Sequence, residues 1–153
     1  MSLHDLLFTI GNILVMPFWI LMIALPRWTW TRRIAESWWG IGIVAVMYVV
    51  ALVGSFFVPG GGAPTDLSSL GTAMGIAALL GTPVGAATGW LHFLAFDLFV
   101  GRWAYLDSRE KNLNPWLVTP CLFFILMTGP FGLLLYLGLR MFNGRKDSSV
   151  DRL

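Results

Sequence analysis

Four apolar runs, each close to the length a helix needs to cross a bilayer, limit what this chain can become. They cover residues 6–25, 39–58, 84–105 and 116–139, against the roughly 20 residues that a membrane-crossing helix requires. Inside hydrocarbon every backbone amide and carbonyl must find its partner within the protein, and a helix meets that need within one segment. The composition agrees, with 57% hydrophobic and 12% charged residues where soluble domains carry about 25% charged. The expected fold class is all-α: an integral membrane helical bundle of four transmembrane helices plus one short re-entrant or interfacial helix.

The first run carries Thr9, Asn12 and Pro17 and ends at Pro26 and Arg27. Trp28, Trp30, Arg32, Arg33, Trp38 and Trp39 follow, the basic and aromatic signature of a headgroup belt. After the second run, Pro59-Gly-Gly-Gly-Ala-Pro64 breaks any helix. No Lys-Ser/Thr follows these glycines, so they make no phosphate loop. Asp66 is placed to cap a short helix over 66–80, about 21 Å long and too short to cross comfortably. Gly85-Ala-Ala-Thr-Gly89 offers small residues for close helix approach. Asp107 to Asn112 reads as a hydrophilic connection, and Gly129-Pro130 falls near the middle of the last run. Residues 1–142 form the expected membrane domain, and 143–153 a disordered polar tail.

Charge narrows the function classes. The basic residues sit in short clusters at the ends of apolar runs, with no continuous basic face, so nucleic acid is excluded as a partner. The loops after the first and third runs hold Arg27, Arg32, Arg33, Arg102, Arg109 and Lys111; the tail holds Arg140, Arg145, Lys146 and Arg152. With four crossings, that balance leans towards cytoplasmic loops and outward termini. No signal-peptide pattern opens the chain. The expected location is a bacterial inner membrane, or a plastid membrane for a mature plant form.

His92 and Asp97 stand inside the third run. An ionisable side chain at bilayer depth costs roughly 2.5–3.5 kcal/mol on insertion scales, so it persists with a partner or a function. Five residues on a helix give about 7.5 Å of rise and a net turn of about 140°. The two therefore cannot chelate one metal through this helix, and Cys121 is the single cysteine. No metal and no cofactor are expected. One reading is structural: His92 bonds Asn12, Thr88 or a carbonyl of another span, and Asp97 pairs with Arg102 or a neighbouring helix. The other is chemical: Asp97 donates a proton and His92 accepts one.

Trp-Leu-His-Phe-Leu-Ala-Phe-Asp-Leu-Phe-Val-Gly-Arg-Trp (90–103), Pro120-Cys-Leu-Phe-Phe and Gly129-Pro-Phe-Gly-Leu-Leu-Leu-Tyr136 closely resemble the abscisic-acid-deficient-four-like family of small multi-span membrane proteins. The resemblance covers roughly residues 5–140. Its plant members are associated with forming neoxanthin from violaxanthin, the isomerisation of a 5,6-epoxide to an allenic alcohol. It implies a membrane-embedded, cofactor-independent isomerase-like protein acting on a carotenoid or related isoprenoid, with His92 and Asp97 catalytic. Trp90, Phe93, Phe96 and Asn12 would contact the substrate. The alternative is a non-catalytic scaffold or accessory partner of isoprenoid-modifying enzymes. Expected partners are membrane lipids and an apolar isoprenoid or carotenoid, with membrane enzymes or a second copy of the chain as further candidates.

Overall fold

A computed structural model describes residues 2–58 and 70–147, with side chains as far as Phe142. The described residues form seven helices and no strand: α1 (Leu3–Ala24), α2 (Thr29–Glu36), α3 (Trp39–Ser55), α4 (Ala73–Leu80), α5 (Pro83–Glu110), α6 (Pro115–Thr128) and α7 (Pro130–Asp147). Two of them, α1 and α5, are long and apolar enough to cross a membrane. A third crossing is available if α2 and α3, bent by 42°, are taken as one broken span.

The helices gather into two compact units, and α1 and α5 each run through both. The first unit comprises residues 1–14 and 41–95. There α1 passes α5 at Gly11, where a β-carbon would lie 2.7 Å from a methyl of Leu91, the close approach that small residues permit. His4, buried, bonds the Ala51 carbonyl at 3.0 Å. The 85–89 glycines meet α4: a β-carbon at Gly85 would strike the Leu79 carbonyl, and one at Gly89 the Leu80 side chain. Helix α4 has eight residues and is about 12 Å long. Its cap is Thr72, whose hydroxyl accepts from the Gly75 amide at 3.1 Å. The expected cap, Asp66, and the Pro59–Pro64 break lie outside the described residues.

The second unit comprises residues 15–40 and 96–153. The aromatic belt after α1 contains a helix that the sequence reading did not anticipate. In α2, Thr31 and Ala35 are buried one turn apart while Trp30 and Arg32 face outwards, the i, i+4 pattern of a helix laid on a surface. Trp19, buried, fits against Gly101, where a β-carbon would collide with its indole.

Helix α5 runs to Glu110, so most of the expected hydrophilic connection is helical. The Leu113 amide bonds the Ser108 carbonyl at 2.9 Å, and Asn112 has φ 51°. This ending suits asparagine, which tolerates the left-handed conformation.

The last apolar run, read from its length as one crossing over 116–139, is divided at Gly129. The Gly129 backbone turns at φ 55°, ψ −94°, and Pro130 begins α7. Helices α6 and α7 pack against each other. A β-carbon at Gly132 would collide with the backbone of Phe124 and Ile125, and the Phe124 and Phe131 rings meet edge to face at 5.3 Å. Further along, Tyr136 and Arg140 reach Asp107 in the last turn of α5, near where α6 starts. Helix α7 therefore returns along α6 as a hairpin. It continues to Asp147, into the stretch expected to be a polar tail; the remainder of that stretch is outside the described residues.

Candidate functional site

Helix α5 carries His92 and Asp97 of the central motif, and its continuity from Pro83 to Glu110 preserves the angular separation of about 140° between them. In the first unit His92 is half-buried. Its ring stands edge to face with Tyr48 of α3 at 5.3 Å and near Phe93 at 6.1 Å. Thr88, one of the partners considered for it, instead bonds the Val84 carbonyl of its own helix at 2.8 Å.

Asp97 belongs to the second unit and faces the tip of the α6–α7 hairpin. A β-carbon on Gly129 would lie 2.6 Å from Asp97 Oδ1. The positive φ favours glycine there, and any side chain would in addition need the Asp97 carboxyl to move aside. Asp97 is half-buried, and among the described residues its carboxyl has no hydrogen-bond or ion-pair partner. The pairing considered with Arg102 is absent. Arg102 instead donates to the carbonyls of Ala35 and Glu36, the latter at 3.0 Å, and lies 4.1 Å from the Trp38 ring. It closes the end of α2, whose last carbonyls have no partner within the helix.

The remaining sequence-read residues divide. Asn12 Oδ1 accepts from the Trp90 indole at 3.1 Å, and its amide donates to the Phe8 carbonyl. Asn12 thus engages Trp90, where the sequence reading had considered His92. Trp90, Phe93 and Phe96 are all exposed, on the outside of α5. Among the described residues no three of His, Cys, Asp and Glu converge as a metal site would need.

One polar cluster escaped the sequence reading. Asp107 Oδ2 accepts from the Tyr136 hydroxyl at 2.5 Å and from Arg140 Nε at 2.9 Å. Tyr136 is fully buried, edge to face with Trp103, and Arg140 reaches the same indole at 6.0 Å. The available signal was spacing: Tyr136 and Arg140 are four apart and share a helix face.

Residues 6–136, most of the chain, match the model of the ABA DEFICIENT 4-like family. The chain belongs to this family. Among curated proteins it is similar to "Protein ABA DEFICIENT 4, chloroplastic" of Arabidopsis thaliana, 29% identical over 114 residues. The match covers 70% of this chain and 49% of the relative, so the chain spans about half the length of the curated relative it matches. No solved structure matches. The matched region of this ABA DEFICIENT 4-like chain contains His92, Asp97 and the Gly129 turn.

Proposed function

We propose that this ABA DEFICIENT 4-like chain is a multi-pass membrane protein that isomerises a carotenoid or related isoprenoid by acid–base chemistry. The observation that carries the reading is the Asp97 carboxyl, half-buried in an apolar helix, beside a break in another helix pair, and without a partner among the described residues. A carboxyl kept at such depth only to hold helices together would be tied to one of them. An untied one is available to a substrate. In its protonated form Asp97 gives its proton to an epoxide oxygen as the carbon–oxygen bond opens. His92 takes a proton from the neighbouring polyene chain as the new double bond forms. Proton gain and loss balance, the product is an isomer, and no cofactor is consumed.

The proposed crossings are α1, α2–α3 and α5, with the fourth crossing of the sequence reading replaced by the α6–α7 hairpin. The charge distribution supports this topology. All ten lysines and arginines, from Arg27 to Arg152, then fall on the side of Arg109, whereas four crossings divide them six to four. Positive-inside makes that side cytoplasmic in a bacterial inner membrane.

The angle of about 140° between His92 and Asp97 favours a second reading, a non-catalytic accessory partner of isoprenoid-modifying enzymes. In that reading the outward Trp90, Phe93 and Phe96 form the contact. Pigment and lipid profiling of a deletion strain, complemented by the wild type or by Asp97→Asn, separates the two. Asp97→Asn keeps shape and most hydrogen-bonding capacity but cannot supply the proton. Loss of conversion with normal membrane insertion supports catalysis; full conversion by Asp97→Asn ends the catalytic reading and leaves the accessory one.

A further inference from the structure

We infer that the basic end of the second unit holds an anionic phospholipid in a two-part cleft between the end of α1 and the start of α6. One part, of about 380 Å³, is walled mainly by apolar side chains, with Ile23, Leu25, Trp28 and Trp116 among them. The other, of about 360 Å³, is polar and includes Arg109, Asn112 and Asn114. Arg27, Pro115 and Trp116 line both, so an apolar compartment and a basic one adjoin, as a lipid's chain and headgroup do.

Three hydroxyls fix the α1 side of the cleft. Thr119 donates to the Ile23 carbonyl at 3.2 Å, Thr31 to Leu25 at 2.8 Å and Tyr105 to Pro26 at 2.9 Å. Each comes from a different helix, and together they tie the last turn of α1 and the two residues after it to α2, α5 and α6; the Leu25 carbonyl also accepts the Trp28 amide at 3.1 Å. These carbonyl oxygens therefore already have donors and leave the arginines as the groups available to a ligand.

Charge selects the occupant. Arg32 and Arg140 form salt bridges with Glu36 and Asp107, while Arg27 and Arg109 form none among the described residues. Two uncompensated guanidiniums beside exposed Trp28 and Trp116 suit a phosphodiester at headgroup depth. A bilayer phospholipid supplies that phosphate together with a chain for the apolar compartment. The cleft shares no residue with the proposed His92 and Asp97 chemistry, so it stands or falls independently.

Native mass spectrometry of the full chain in detergent tests the assignment, with dioleoylphosphatidylglycerol, dioleoylphosphatidylcholine, a prenyl phosphate and inorganic phosphate as probes. The expected result is one saturable phosphatidylglycerol, with phosphatidylcholine at least about tenfold weaker. Arg27→Gln with Arg109→Gln lowers affinity about thirtyfold, and Arg109→Gln alone about fivefold, from the usual contribution of a basic residue near an anionic surface. Arg32→Gln with Arg33→Gln removes the same charge outside the cleft and leaves affinity within about twofold. Equal loss in both pairs, equal binding of the two phospholipids, or displacement of phosphatidylglycerol by equimolar prenyl or inorganic phosphate overturns the proposal. Melting curves establish that each variant is folded; if the Arg27/Arg109 pair is not, Arg109→Gln against Arg33→Gln decides.

Discussion

Gly129 and Asp97 are fitted to each other: no side chain can stand at Gly129 without entering the space of the Asp97 carboxyl. The turn of the α6–α7 hairpin and the deep carboxyl of α5 are therefore one structural feature. Gly129→Ala should cost at least about 1–2 kcal/mol from the left-handed backbone alone, with the carboxyl contact adding to it. Gly138→Ala, where a β-carbon meets nothing within 4 Å, should be neutral or stabilising by up to about 1 kcal/mol. Parallel thermal melts in one detergent read both, and equal effects would separate Gly129 from Asp97.

The Asp107 cluster should show unequal contributions. Tyr136→Phe removes a fully buried donor to a carboxylate and should cost about 1.5–3 kcal/mol. Arg140→Gln should cost under about 1 kcal/mol, because its side chain is 40% exposed and such pairs are weak. A double-mutant cycle on Tyr136 and Asp107 should give coupling above about 1 kcal/mol.

Arg102 should not tolerate lysine. It bonds two carbonyls and stacks on Trp38 at once, which a planar guanidinium does and an ammonium does not. Arg102→Lys and Arg102→Gln should lower the melting temperature by similar amounts. Full rescue by lysine would show that charge alone matters there.

The proposed three-crossing topology makes a prediction about sidedness. In a chain with Cys121 replaced by Ser, that topology expects single cysteines at Arg109 and beyond Asp147 to label from one face of the membrane, the cytoplasmic one, and one at Ser2 only from the other. Labelling of the last site from outside would convert the hairpin into a fourth crossing.

Much of this was legible in the sequence, for identifiable reasons. Apolar length and the cost of buried charge mark α1 and α5 and single out His92 and Asp97. The turn at Gly129 was not legible, because Gly-Pro in an apolar run serves a kinked span as well as a reversal. The contacts of Gly132 with Phe124 and Ile125, and those of Tyr136 and Arg140 with Asp107, distinguish them. The sequence offers Asn12 as a partner for a polar group on another span, but nothing in it says that the group is the Trp90 indole. The extension of α5 was missed because the Asp107 partners, Tyr136 and Arg140, are remote in sequence. Polarity over 107–110 looks like a loop until those partners are in place.

The hairpin also imposes an order of events during synthesis. Helix α5 leaves the ribosome with Asp97 and Asp107 before Gly129, Tyr136 and Arg140 have been made. Until those residues emerge, Asp107 lacks the phenol and guanidinium that later bond it, and Asp97 lacks the turn that later faces it. A chain truncated before Gly129 would thus keep α5 whole yet lack every described side-chain partner of Asp107 and the turn beside Asp97.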